Sequence, residues 1–460
     1  MTEISDVRVE NRLRRLSMIK RGSTQEEVSN VFTPNSAVTV PAKFAGREEP
    51  LEEMINFLLT EGADLIIFGE RGAGKSSIAQ MLHSIAKGDL ELLSYYGLRE
   101  QLERKGFWSW LTGPTRKEYN VIWVDGFGRP IDEVLRSILL RRADGVSGPG
   151  LLSYLPKEAD QVEVAAQIGV EKVISAGGEV SYTYTAEKPQ NIKEGFETAL
   201  QRYSEQYDKD LVIIIDEFET VTNKSEISQY LKSVRRARFA LVGIAATTLE
   251  LIGQHASVAR DTHAIELLPM RDEELRLILQ LGSYVLTNYC NYTEPAIDEI
   301  IHHCYGSPYW CHFMAKSLLQ QKIESAGRFS QFMNLNITDS MVRQVRQEDV
   351  TSLLTGLPRQ ATCRIYEEAL KQITMGDEIT AKVLLGIARN QESVISSKSA
   401  CDLLESDEQI SRDITIETIS GILQMKDSPL EERGRIRDIV SFSFRDPNFK
   451  RYILMRNASL

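Results

Sequence analysis

The chain has little of what marks secreted, metal-bound or membrane-embedded proteins. Five cysteines stand at irregular spacings, which excludes a disulfide framework and suits a reducing compartment. No apolar run approaches the roughly 18 residues of a membrane-crossing helix. The N-terminal segment carries too many charges for a secretory leader. A cytoplasmic protein without membrane contact is therefore expected. Tandem repeats and low-complexity tracts are absent. The six histidines are scattered and form no nucleophile–base arrangement. A net charge of −11 argues against a surface that attracts nucleic acid as a whole, though a local basic patch remains open. With 42% hydrophobic and 26% charged residues the composition is that of a globular protein, and 460 residues suit two or three domains.

What is present begins with Gly69-Glu70-Arg71-Gly72-Ala73-Gly74-Lys75-Ser76, a complete G-x-x-x-x-G-K-S/T phosphate-binding loop. The apolar run Leu65–Phe68 before it reads as a buried strand, and Ser77–Leu82 after it reads as a helix. The loop thus turns from a strand edge into a helix N-terminus, where unpaired amides and the helix dipole favour anions. Gly72 and Gly74 let the backbone approach a polyphosphate. Gly69, Ala73 and Ser77 complete the cradle. Lys75 is expected to reach the β- and γ-phosphates, and the Ser76 hydroxyl to ligate Mg²⁺.

The second signature is Leu211-Val212-Ile213-Ile214-Ile215-Asp216-Glu217, a hydrophobic strand ending in two acids. In an open parallel sheet ligands bind at such strand ends. Asp216 is the candidate Mg²⁺ partner, since Mg²⁺ prefers oxygen ligands. Glu217 is the candidate that orients and polarises the attacking water. Asp125 ends the run Val121–Val124 and reads first as a loop cap, with coupling to Glu217 as the alternative.

This pair resembles the hhhhDE motif of the AAA+ and STAND ATPases, and further boxes fit the same superfamily. Phe44-Ala45-Gly46-Arg47-Glu48 resembles their hhGRE box, which borders the adenine; Pro50 stands where the fuller form has a second Glu. Leu241–Thr248 resembles the strand that ends in a sensor residue, making Thr247 the sensor candidate; Ala246 occupies the place where replication initiators often carry Asn. Gly306-Ser307-Pro308 resembles the STAND GxP motif, which implies a nucleotide contact from Pro308; Tyr309 follows where many AAA+ proteins carry a lid arginine. The resemblance implies Arg260 as an arginine acting in a neighbouring subunit's site, with a surface loop arginine as the alternative. Arg235, Arg236 and Arg238 compete for that role. They also suit the C-terminal end of a helix expected over Ser225–Ser233.

The expected fold is α/β: a P-loop NTPase parallel sheet of the AAA+ type, with a helical lid and a C-terminal winged-helix domain. Apolar runs at Leu65–Phe68, Val121–Val124, Leu211–Ile215, Phe239–Ile244 and Ile265–Leu268 supply the sheet. The expected domains are an arm and linker over 1–42, a core over 43–270 with an insertion near 143–190, a lid over 271–335 and a winged-helix-like domain over 336–460. The insertion carries a hairpin signal at Val180–Thr185. In the arm, Arg12, Arg14, Arg15, Lys20 and Arg21 read as a solvated helix face, with partner or nucleic-acid contact as the alternative.

Beyond residue 336, helices are expected at Arg364–Ile373, Ile379–Ala388, Ser397–Leu404 and Ile416–Met425. Ile436–Phe444 then alternates like a strand pair. The helix over Ile414–Lys426 offers one Gln and one Lys, poor equipment for reading bases. The ribbon is more basic, with Arg433, Arg435, Arg437, Arg445, Lys450 and Arg451 available for phosphates, interleaved with acids. His302-His303-Cys304 with Cys311-His312 matches no common zinc spacing and reads as core packing. Together these features imply an ATP- and Mg²⁺-dependent ATPase switch that forms a homo-oligomer with nucleotide and has a protein partner, plausibly in signalling or defence. The alternative is an ATP-controlled DNA-binding initiator or loader that uses the winged helix.

Overall fold

The computed structural model describes residues 24–96, 119–140, 150–155, 158–167, 170–174, 180–184, 192–206, 210–229, 237–245, 247–252, 262–286, 290–333, 343–390 and 392–458, with Arg12, Arg15 and Leu98 besides. The chain divides into two compact units, residues 1–18 with 37–268, and residues 19–36 with 269–460.

The first unit is built on strands β1 (Asp64–Gly69), β2 (Tyr119–Asp125), β5 (Asp210–Asp216), β6 (Ala237–Ile244) and β7 (Thr262–Leu267), with β3 (Val170–Ile174) and β4 (Val180–Tyr184) forming a separate antiparallel hairpin. The five-stranded sheet is wholly parallel in the order β2-β5-β6-β1-β7. Alternate side chains point to opposite faces, and both faces are covered. Ile66, Phe68, Ile122, Val124, Ile213, Ile215, Phe239 and Leu241 pack under helices Ile131–Leu140 and Ile192–Gln206. Leu65, Ile67, Val121, Trp123, Val212, Ile214, Ala240 and Val242 pack under helices Glu48–Leu59 and Lys75–Ala86. Two covered faces explain why these strands read as unbroken apolar runs.

The N-terminal edge of the sheet is closed by a buried ion pair. Arg238 bonds Asp210 and donates to the carbonyls of Phe57 and Leu58 at 3.1 and 3.0 Å, with its guanidinium over the Tyr119 ring. Arg238 is fully buried at the edge opposite the phosphate loop, which removes it as an arginine acting on a neighbour. Arg235, Arg236 and residues 230–233 of the expected helix Ser225–Ser233 lie outside the described residues; Lys224–Gln229 is a 3-10 turn. Arg12 also departs from expectation. Its side chain is buried, donates to Ala42 and Phe44 carbonyls and lies over the Tyr95 and Tyr96 rings. A guanidinium satisfied by carbonyls and aromatic faces tolerates burial that a bare cation would not. Arg15 is exposed and pairs with Glu91; Arg14, Lys20 and Arg21 lie outside the described residues.

The second unit begins with helix Thr24–Val31, and Phe32 after it is fully buried edge-on to Tyr292 and His312. Helices Asp272–Val285, Glu294–Cys304 and Pro308–Met333 follow, with β8 (Cys290–Tyr292) and β9 (Arg343–Val345) paired in parallel. Helices Gln347–Gly356 and Arg364–Thr374 lead to the C-terminal domain. There helix Glu378–Arg389, β10 (Ile395–Ser396), helices Ser397–Asp407 and Arg412–Gln424, β11 (Leu430–Ile436) and β12 (Ile439–Phe444) follow in winged-helix order, with an antiparallel sheet β10-β12-β11. Asp377 and Ser396 cap their helices by accepting amide bonds. The strand pair is displaced from its expected place. Ile436 to Ile439 is the turn, with Arg437 left-handed at φ 55°, and the first strand is the polar run Leu430–Ile436. That strand is exposed along most of its length, so it carries no apolar alternation to read.

Candidate functional site

The phosphate loop leaves β1 at Gly69 and enters helix Lys75–Ala86 through Gly74. Gly69, Gly72 and Gly74 hold φ of 144°, 81° and 95°, conformations closed to most side chains. At Gly69 space matters as well, since a Cβ would sit 2.8 Å from the Leu267 carbonyl oxygen. The first helical bond runs from Ile78 N to Gly74 O at 3.1 Å, so the amides of residues 75–77, the first of the helix, have no intrahelical partner and can face an anion.

Lys75 folds back over the loop. Its ammonium donates to Glu70 O at 2.8 Å and Gly69 O at 3.2 Å. Burial lowers its pKa to about 8, although Glu219, Asp216 and Glu70 oppose the shift. A desolvated ammonium bonded only to carbonyls is poised to exchange them for phosphate oxygens.

The acidic pair comes to the same edge. β5 and β1 flank β6 in parallel, so Asp216 and the loop both stand at carboxyl ends of strands. The Ser76 hydroxyl lies close enough to the Asp216 carboxylate to favour its charged form. Burial raises the Asp216 pKa, while Ser76, the Glu217 amide and Lys75 pull it down. A hydroxyl and a carboxylate held together beside a phosphate cradle form the oxygen-donor set that Mg²⁺ takes; Ser76 and Asp216 would hold it. Glu217 follows at φ 53°, exposed. Its pKa is raised by burial, then by the charges of Asp125, Asp216 and Glu219.

Two loops are laced behind Glu217. Gly126 N donates to Asp216 O at 2.8 Å, Gly128 N to the Thr220 hydroxyl at 2.9 Å, and that hydroxyl to Glu217 O at 2.9 Å. Asp125 caps its own loop by accepting from Phe127 N at 2.8 Å, and its charge is felt by Glu217 as well.

Sequence reasoning passed over Glu219. One carboxylate oxygen of Glu219 is buried with no hydrogen-bond partner among the described residues. It lies over Gly243, where a Cβ would stand 2.7 Å away. The signal was a third acid two positions after Glu217, and the missing side chain at Gly243.

Other expected residues take different places. Arg47, left-handed at φ 64°, spends its guanidinium on the carbonyls of Ala73 at 2.8 Å and Leu268 at 2.6 Å. It braces the loop from behind, with Gly46 at φ 67° turning the chain towards it. Ser77 accepts from Val38 N at 3.0 Å, tying the segment before the core to the loop helix. The Thr247 hydroxyl accepts from Glu250 N at 3.2 Å and so opens the short helix Thr248–Ile252. Arg260 lies outside the described residues. Pro308 belongs to the second unit, where it starts a helix after Gly306 at φ 72°, and Met270 N donates to Gly306 O at 2.8 Å. Cys304 and Cys311 are buried thiols, and His303 bonds Glu299 at 3.1 Å. Among the described residues no helix is long and apolar enough to cross a membrane.

No protein-family model and no curated protein matches the chain. Among solved structures the chain is similar to the ORC1 protein of Aeropyrum pernix in complex with DNA, at 12% identity, covering 93% of this chain and 95% of that one with a TM-score of 0.39. It is similar to Cdc6p from Pyrobaculum aerophilum, at 11% identity, 94% and 97% coverage and a TM-score of 0.40. It is also similar to a Walker-type ATPase of Pyrococcus abyssi, at 11% identity, 92% and 99% coverage and a TM-score of 0.42.

Proposed function

We propose that the chain binds ATP at the Gly69–Ser76 loop, hydrolyses it, and uses the difference between bound states as a switch. The observation that carries this reading is the approach of Asp216 to Ser76 and Lys75 at one edge of a parallel sheet. Residues far apart in the chain come to one sheet edge, which supports a phosphoryl-transfer reading. Ser76 and Asp216 would hold Mg²⁺, which would supply positive charge against the phosphates. Lys75 binds the terminal phosphates. Glu217 orients a water whose oxygen bonds the terminal phosphorus. The bridging P–O bond breaks, its electron pair leaves with ADP, and the water's proton passes through Glu217 to solvent. Glu217→Gln should still bind ATP while phosphate release falls at least a hundredfold, the scale of general-base loss. Equal turnover would mean that another group manages the water.

Nucleotide can shift the chain between states only as far as its affinity differs between them. Assembly into a homo-oligomer is part of this proposal, with Arg260 as the arginine contributed across the boundary. Mass measurement with and without a slowly hydrolysed ATP analogue tests it.

A second reading makes duplex DNA the partner, and it rests on the winged-helix order of the C-terminal domain. Arg437 stands exposed at the ribbon turn, beside exposed Ile436, without an ion-pair partner among the described residues. Its neighbours are engaged: Arg435 with Glu432, Arg433 with Glu431 and Ser443, and Arg412 with Asp402 and Glu405. Phosphates would have to exchange for those carboxylates. Duplex affinity measured over a salt series decides: a log–log slope of about −0.9 per phosphate contact supports the reading. Weak binding with no salt dependence removes it.

A further inference from the structure

The loop carries a cation that the reading above does not use. Ala73 N donates to Glu70 O at 3.3 Å, closing a turn over residues 70–73 with Arg71 near its apex. The carbonyl that opens this turn, Glu70 O, is the one 2.8 Å from the Lys75 ammonium. Arg71 therefore projects from the part of the loop nearest the point where Lys75 meets the terminal phosphates. Its side chain is exposed and makes no hydrogen bond or ion pair with the described residues. Arg47, by contrast, is buried against two carbonyls, and Arg238 is locked at the opposite edge.

The charge balance also asks for it. Glu70, Asp125, Asp216 and Glu219 act on Lys75 or Glu217, and Arg71 is the cation that acts on both. A nucleotide adds further negative charge. Arg71 is a cation felt by both Lys75 and Glu217, so it stands within electrostatic reach of both.

We propose that Arg71 is a catalytic arginine acting within its own subunit: its guanidinium bonds the oxygens of the phosphoryl group in flight. The proposal rests on the ATPase reading. The charge it meets develops as the bridging P–O bond lengthens, so Arg71 binds the transition state more tightly than ADP. A planar fork of donors matches phosphoryl oxygens in a way an ammonium does not. An arginine in this role is worth about 10³ to 10⁵ in rate. Hydrolysis is then first order in protein even where no assembly forms.

The test uses the full chain and its Arg71→Ala and Arg71→Lys variants. Three quantities are measured: ADP affinity, affinity for ADP with aluminium fluoride as a mimic of the phosphoryl group in flight, and single-turnover phosphate release over a hundredfold range of protein concentration. Both variants are expected to hold ADP within about threefold of the parent, since the removed contact belongs to the transition state. Arg71→Ala should lose at least a hundredfold in affinity for the aluminium fluoride complex and in phosphate release at every concentration, and Arg71→Lys should recover only a small part. Parent-like release by Arg71→Ala overturns the proposal while leaving the ATPase reading standing. So does a loss seen only at concentrations where the protein assembles, which would place the working arginine in another subunit. A parent chain that binds neither ADP nor ATP overturns the ATPase reading itself.

Discussion

Raising the pH should weaken nucleotide binding before it unfolds the protein, because the Lys75 ammonium begins to lose its proton near pH 8. In the free chain burial holds that pKa about 2.5 units below the ordinary 10.5. A polyphosphate placed against the ammonium favours the charged form and lifts its pKa back. The proton is then held more tightly in the complex than in the free protein. Affinity is full below the free-state value and is lost as pH rises through it. At pH 9 only about a tenth of Lys75 is charged, so the dissociation constant should be roughly tenfold larger than at pH 7, about 1.4 kcal/mol. Phosphate itself contributes little there, since its second ionisation lies near 6. Fold stability moves the other way. The unfolded chain keeps this proton up to about 10.5, so the contribution of Lys75 to stability increases as pH rises from about 8 to 10.5. Calorimetry with a slowly hydrolysed ATP analogue, repeated in buffers of different ionisation enthalpy, measures both the affinity and the proton uptake. Lys75→Ala should bind weakly and show a flat profile over the same range. A parent protein with constant affinity from pH 7 to 9, or a variant that keeps the parent's slope, would refute the placement of Lys75 on the phosphates.

Three further outcomes follow from named contacts. Arg238→Ala removes the guanidinium bonded to buried Asp210, and chemical denaturation should show a loss of about 3–5 kcal/mol; a change under about 1 kcal/mol would mean that the carboxylate is held well enough by its other surroundings. Gly69→Ala forces a Cβ against the Leu267 carbonyl at a φ of 144°, so a cost of about 1–3 kcal/mol in stability is expected together with weaker ADP binding; parent-like values on both would show that the strand end yields freely. Arg260→Ala should leave affinity near normal and slow turnover only where the protein assembles; a loss independent of concentration would assign it to its own subunit.

The phosphate loop could be read directly because its mechanism is local. Gly72, Gly74, Lys75 and Ser76 are contiguous, and their spacing encodes both the turn and the chemistry. β1, β2, β5 and β6 could be read because they are buried on both faces, and the edge strand β7 because Ile265 and Leu267 are buried. β11 could not: it is a polar, exposed strand held by backbone pairing to β12. Arg12 reads as part of a solvated helix face, and Arg238 as a candidate for a neighbour's site or a helix C-terminus, because charge usually means solvent. Their burial depends on carbonyls and aromatic rings 30 or more residues away.

By itself the sequence determined that a strand, a phosphate cradle and a helix stand in order, and that a second strand ends in two acids. Neither fact says that the two strand ends meet. The tertiary structure decided that, by setting β6 between β1 and β5 in parallel so that Asp216 reaches the Ser76 hydroxyl. It also decided which charges are spent on the fold, as Arg47 and Arg238 are, and which act on the Lys75 ammonium, as Arg71 and Glu219 do. The physical reason is that local propensity acts over a few residues, whereas desolvation and charge act through space between residues the chain keeps far apart.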